Sequence, residues 1–132
     1  MKMKGYSYPV VPISGKGEDV KKLFDYSMFD VIYSSNALDH SVSPAKCIES
    51  MFYVLKEGGL IYLEGIVNVG TTEEWKGLHQ HNLIPENGQL VRYDKNGSLT
   101  NLTGRFKLKT VYMNKEKYST GDWYEVVFQK YK

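Results

Sequence analysis

Residues 29–65 carry the pattern that most limits what this chain can become: an apolar run, an amphipathic stretch and a second apolar run, with short connections. The first run, "FDVIYSS", is apolar on both faces rather than alternating. That predicts a strand from Phe29 to Ser34 covered on both sides, as in a parallel sheet flanked by helices. In "SPAKCIESMFYVLKEGG", Ser43 is placed to cap a helix whose first residue is Pro44, and Gly58 offers the left-handed residue that would end it. Between them Cys47, Ile48, Met51, Phe52, Val54 and Leu55 fall at helical spacing on one face. "LIYLEG", residues 60–65, reads as a second buried strand. Strand, helix and strand joined this tightly predict one right-handed βαβ unit with parallel strands.

The flanking sequence fills in one domain spanning 1–132. "YPVVPI" (8–13) is extended in character, but Pro9 and Pro12 lack donors, which confines it to a sheet edge or an irregular strand. "GKGEDVKKLF" predicts a glycine turn leading into a short helix from about Glu18 to Phe24. Beyond Glu64 the pattern gives a loop, a short helix around Thr72–Gly77, the run "GLHQHN", and a hairpin in "GQLVRYDKNGSL" turning at Asn96-Gly97. "FKLKTVYMN" and "DWYEVVFQKYK" then read as two antiparallel strands joined by a polar turn over 115–121. The amino half is α/β and the carboxyl half β-rich.

Composition narrows the function. The net charge is +2 and no Lys/Arg block exceeds two residues, which disfavours a nucleic-acid partner. No apolar run reaches membrane-spanning length, and the single cysteine excludes an intramolecular disulfide, so no membrane partner and a cytoplasmic location are expected. Cys47, on the apolar helix face, reads as a small core hydrophobe. Trp75 and Trp123 read as core or lid aromatics.

Two polar constellations stand out. Asn36, Asp39 and His40 follow the first strand, where the carboxyl ends of an open α/β sheet face a ligand crevice. There an imidazole oriented by a carboxylate could move a proton, or Asp39 could bond loop amides with His40 on the surface. His79, Gln80, His81 and Asn82 form the second group, read either as ligand contacts or as loop hydrogen bonds. Together with Glu64, the histidines His40, His79 and His81 could supply metal ligands. His-X-His without a CxxC partner is a weak zinc signal, however, and no metal is assigned.

"FDVIYSSNALDHSVSPAKCIESMFYVLKEGGLIYLEG" resembles the run from the fourth to the fifth strand of class I S-adenosylmethionine-dependent methyltransferases. "GLHQHN" is similar to a "GLHQWN" segment in a bacterial subgroup associated with surface-polysaccharide clusters. The resemblance covers about residues 8–132. It implies a partial Rossmann-like sheet from the order 3-2-1-4-5-7-6. The equivalents of strands three, four and five would be parallel, followed by the antiparallel carboxyl-terminal hairpin. The first βαβ half, with its glycine-rich cofactor loop, would be lacking; no GxGxG occurs, and "YPVVPI" stands at the third strand. "GKGED" corresponds to a family "GD-(A/G)-E" segment, with Lys16 where an aspartate is usual. A histidine near Gly65 and an acid near Val69, expected in the subgroup, are absent.

The cofactor so implied is S-adenosylmethionine, with contacts at Glu18, Asp19, Ser35 and Asn36. The implied catalytic residues are Asp39, His40 and His79. Contacts to an acceptor, a small molecule or saccharide, would come from Asn36, Gln80, His81 and Asn82. The expected function is the acceptor-side half of a methyltransferase, unable to bind cofactor or catalyse alone. The alternative is a non-catalytic homodimeric or partner-binding module. In either case the edge of Phe29–Ser34 lies bare, a hazard for aggregation. A homodimer is the expected cover, with a separately encoded amino-terminal half or "YPVVPI" as the other candidates.

Overall fold

The computed structural model describes residues 2–3, 6–7, 12–118 and 121–132. Strands β1 (Lys2–Met3) and β2 (Tyr6–Ser7) pair with each other, antiparallel. A 3₁₀ turn at Gly17–Asp19 leads into the single helical turn α1 (Val20–Leu23), close to the expected helix. Next come β3 (Phe29–Ser35), α2 (Pro44–Val54) and β4 (Leu55–Ile66), with β3 and β4 parallel. The βαβ unit is therefore present, and Ser43 caps α2 by accepting from the Lys46 amide at 3.3 Å.

The end of α2 differs from the sequence reading. The helix stops at Val54, and Leu55 is already extended and paired with Phe29. The next pair is Val31 with Leu60, so residues 56–59 bulge out of the ladder. Gly58 is left-handed (φ +80°), but inside this bulge rather than at the helix end. Gly59 has no room for a side chain: a Cβ there would lie 2.8 Å from the Lys56 carbonyl oxygen and 2.9 Å from that of Asp30.

Beyond β4 the chain forms α3 (Val69–Thr72), earlier and shorter than the helix expected at 72–77. A three-stranded antiparallel sheet follows: β5 (Asn82–Glu86), β6 (Gln89–Tyr93) and β7 (Leu99–Asn101). The β6–β7 hairpin is the expected one, turning through Gly97 at φ +81°. The Asp94 carboxylate accepts from the Asn96 and Ser98 amides, each at 2.9 Å. The β5–β6 hairpin was not expected. Asn87 and Gly88 both take positive φ there, which two-residue hairpins favour, and Pro85 is tolerated because β5 is an edge strand. The final hairpin, β8 (Leu108–Tyr118) and β9 (Gly121–Lys130), continues further toward its turn than the sequence suggested. Residues 119–120 of that turn lie outside the described residues.

The main sheet runs β3-β4-β9-β8, the fourth, fifth, seventh and sixth positions of the order implied by the resemblance. Among the described residues one of its faces is buried and the other is partly exposed. Leu55, Ile61 and Leu63 of β4 and Tyr124, Val126 and Phe128 of β9 pack with Ile48 and Met51 of α2, with Leu83 and Leu90 of the second sheet and with Leu102 just beyond it. Each fully buried Leu, Ile or Phe contributes about 1.5–3 kcal/mol. On the opposite face Val31 and Tyr33 are each 60% exposed. This corrects the reading of β3 as a strand covered on both sides: it is an edge strand, and among the described residues nothing pairs along its outer side. Residues 8–11 of "YPVVPI" lie outside the described residues, and Pro12 and Ile13 belong to no strand. Among the described residues no helix is long and apolar enough to cross a membrane.

Two polar fasteners hold α2. The Gly17–Asp19 segment docks on it through the Cys47 thiol, which donates to Glu18 Oε1 at 3.2 Å, and Ser50 Oγ, which donates to the Glu18 carbonyl at 2.7 Å. At the other end Lys130, nearly buried at the close of β9, donates from Nζ to the carbonyls of Phe52 and Leu55, both at 2.8 Å. It also lies 4.2 Å from the Phe52 ring centroid. Replacing it strands carbonyls that the helix cannot satisfy itself. Lys130→Met should lower stability by about 1–3 kcal/mol, read as a lower urea midpoint at unchanged slope. Burial pushes the Cys47 thiol up to about 12. At pH 8 the folded protein then holds about a thousandfold less thiolate than a free thiol, and iodoacetamide should label Cys47 correspondingly faster only after unfolding.

Candidate functional site

The register of β3 against β4 places Ser35 opposite Glu64 and so sets where the strand ends. Ser35 Oγ donates to Glu64 Oε1 at 2.8 Å, and the Tyr33 hydroxyl donates to the same oxygen. The Tyr33 bond is the main reason the Glu64 carboxyl lies below its usual range. Asn36 then turns the chain in a left-handed conformation (φ +50°), which Asn tolerates better than most residues, while its amide donates to the Glu64 carbonyl at 2.8 Å. A 3₁₀ turn over Leu38–His40 follows, closed by Ser41 Oγ donating to the Leu38 carbonyl at 2.6 Å. The turn inserts Leu38 into the core and carries Asp39 inward with it, leaving Asp39 only 3% exposed.

The histidine segment reaches the same place from the other direction. Gly70 leaves space for Trp75, whose ring carbon would sit 2.6 Å from a Cβ there. Asn82 accepts from the Thr71 amide at 2.9 Å and donates to Thr71 Oγ1 at 2.8 Å, tying α3 to β5. Gln80 Nε2 braces the intervening loop by donating to the carbonyls of Trp75 (2.6 Å) and Gly77 (3.1 Å). His81 has both ring nitrogens occupied. Arg92 Nε donates to Nδ1 at 2.6 Å, which leaves the proton on Nε2 to donate to the Ser41 carbonyl at 2.9 Å. Burial first, and then the Arg92 charge, lower its pKa, so the ring stays neutral. The bonds made by Gln80, His81 and Asn82 are within the scaffold, and together they present the fourth member of the run, His79.

His79 meets the tip of β3. Its Nδ1 lies 3.7 Å from Asp39 Oδ2, and His40 Nε2 lies 3.3 Å from the same oxygen. The two imidazoles touch edge to face with centroids 4.9 Å apart. Asp39 Oδ2 and His79 Nδ1 are both buried without a hydrogen-bond partner. The metal set considered from sequence divides accordingly: Asp39, His40 and His79 gather, while Glu64 and His81 are held elsewhere.

His40 also stands between two clefts. One, of about 320 Å³, is lined by Lys16, Glu18, Ser34, Leu38, Cys47 and Met51 among others. The second, of about 230 Å³, lies between Val42 and the loop carrying Gly77, Leu78 and Gln80. Glu18 therefore lines the first cleft, whereas Asp19 faces a neighbouring surface groove and pairs with Lys22 at 3.4 Å. Ser35 and Asn36 are exposed at the strand tip and line neither cleft. Ser34 and Leu38 were not singled out from sequence, although strand alternation marks Ser34 as facing opposite to Ser35. Arg92 had no sequence signal: its role arises only from the pairing of Leu83 with Arg92 in the unexpected hairpin.

A sequence model of the methyltransferase-domain family matches residues 4–63, which takes in α1, β3, α2 and most of β4. No curated protein matches the chain. Among solved structures it is similar to a SAM-dependent methyltransferase of Methanosarcina mazei (TM-score 0.52, 20% identity, 82% of this chain and 62% of that one). A Listeria monocytogenes protein assigned as an S-adenosylmethionine-dependent methyltransferase is similar at a TM-score of 0.61, with 13% identity over 96% of this chain and 72% of that one. The 1,6-didemethyltoxoflavin-N1-methyltransferase of Burkholderia thailandensis, solved with S-adenosylhomocysteine, is similar at 0.50 and 10% identity, over 86% of this chain and 48% of that one. The chain thus spans about half to seven tenths of the length of these structures. The family match thus takes in residues 4–63, and the α/β fold of the chain is that of part of the methyltransferase structures it resembles.

Proposed function

We propose that the chain is the acceptor-side portion of an S-adenosylmethionine-dependent methyltransferase, with a reaction centre at Asp39, His40 and His79. The observation that carries this reading is the position of His40, backed by buried Asp39 and lining both clefts at once. Methyl transfer needs the sulfonium carbon and the acceptor brought in line, so a proton-handling group belongs where a cofactor cleft and an acceptor cleft meet. The Glu18–Leu38 cleft takes the adenosine end of the cofactor, and the Val42–Leu78 cleft takes a small acceptor bearing a hydroxyl. The methionine end of the cofactor falls to a glycine-rich segment that the sequence does not contain. We assign that segment to the remainder of the methyltransferase fold, on the same or on another polypeptide, which would also pair with β3 and cover Val31 and Tyr33. The alternative, a homodimeric module without catalysis, would cover the same edge with a second copy.

An amide NMR titration with S-adenosylhomocysteine tests the cofactor side. Shifts should be confined to Lys16–Glu18, Ser34, Leu38–Val42 and Cys47, and should saturate only near about 1 mM, roughly 4 kcal/mol, for want of the other half. Shifts centred elsewhere would remove the reading, and none at that concentration would exclude catalysis by this chain alone. Sedimentation velocity decides the edge: a monomer fits a separate partner, and a stable dimer at micromolar concentration favours the homodimeric module.

A further inference from the structure

The buried carboxylate at the tip of β3 has an unusual defect. Asp39 is 3% exposed, yet its Oδ2 has no hydrogen-bond partner, and the atom it faces, His79 Nδ1, is buried and partnerless too. An unpaired buried polar atom costs about 1–3 kcal/mol, and more when charged, so two facing each other call for an explanation. At 3.7 Å the two are too far apart for a hydrogen bond to form between them. The spacing instead suits two corners of a coordination polyhedron. With zinc–nitrogen and zinc–oxygen distances near 2.0–2.1 Å, the ligand atoms of a tetrahedral site stand about 3.3 Å apart. His40 Nε2 is 3.3 Å from Asp39 Oδ2, His79 Nδ1 is 3.7 Å from it, and all three ligand atoms fit within 4.8 Å of one another.

We propose that Asp39 Oδ2, His40 Nε2 and His79 Nδ1 bind one divalent transition-metal ion of the zinc class. Two imidazoles and one carboxylate suit such an ion. Calcium and magnesium prefer more oxygen donors than this cluster offers. Three protein ligands leave a fourth position open, as in catalytic rather than structural zinc sites, and the part-exposed His40 directs it toward the clefts. That position would take an oxygen donor, either water or a hydroxyl-bearing ligand. The scaffold contacts of Gln80, His81 and Asn82 act as the outer support that fixes His79. The inference rests on the geometry of these three side chains; with the ion bound, His40 Nε2 is a ligand, and the proton-handling role proposed above passes to the oxygen donor at the open position, so zinc binding tests the site independently of methyl transfer.

The test uses the full chain stripped with EDTA and titrated calorimetrically with Zn²⁺, alongside Co²⁺ binding followed by visible absorption. One equivalent should bind in the micromolar range or tighter, and the cobalt form should show the intense absorption of a four- or five-coordinate site. His40→Gln and His79→Gln should each weaken binding on the order of 10–100-fold. Both side chains are part-exposed, so these variants carry the test even if Asp39→Asn disturbs folding. Cys47→Ser should bind as the parent does. Failure to bind at about 100 μM zinc, full retention in the double histidine variant, or loss in Cys47→Ser would each overturn the assignment.

Discussion

The main sheet is registered on β4. It is the one strand of the main sheet with both a parallel and an antiparallel partner: β3 lies along one side from Val31–Leu60 to Ser35–Glu64, and β9 along the other from Leu60–Gln129 to Ile66–Trp123. Side chains alternate strictly across a strand, so a slip of one residue on either side would turn a core set outward. The glycine bulge at 56–59 fixes the register on the β3 side, because a side chain at Gly59 would collide with the Asp30 carbonyl. Glu64 marks the far end. Its carbonyl receives Asn36 and its carboxylate receives Tyr33 and Ser35, so the strand tip is held where the chain must turn. The position of Asp39 follows from that turn.

The legible part of the fold was the part governed by local chemistry. Ser43 and Pro44 start α2, the apolar runs at 29–34 and 60–65 become paired strands, and Asn96-Gly97 turns the β6–β7 hairpin. The misread parts were decided at long range. Gly58 has the conformation of a helix terminator, but the pairing of Leu55 with Phe29 pulls the chain out of the helix first. Asn87-Gly88 is the same kind of hairpin dipeptide as Asn96-Gly97, and Pro85 beside it fits a strand because β5 lies at an edge. An all-apolar strand reads as buried on both sides, whereas Val31 and Tyr33 face outward on the open face of the sheet.

The site shows the same division. The motifs at 36–40 and 79–82 were visible as polar clusters, but their roles were not separable by spacing. Of the four residues in "HQHN", three hydrogen-bond within the scaffold, Gln80 and His81 among them also lining the second cleft, and only His79 reaches Asp39. That outcome depends on Arg92 occupying one nitrogen of His81 and on the Ser41 carbonyl occupying the other. Neither partner is near His81 in sequence, and nothing local announces them.

The bond from His81 to Ser41 has a consequence for how this region responds to whatever binds there. It links the segment carrying His79 to the one carrying Asp39 and His40, and Arg92 anchors the link to the second sheet. Two excursions that would otherwise wander independently are riveted together before any visitor arrives. The entropy of bringing His79 to Asp39 is thus part of the folding reaction, not of recognition. A ligand at this spot would accordingly meet a preset shape, and loosening the rivet would soften that shape while leaving Asp39, His40 and His79 in place.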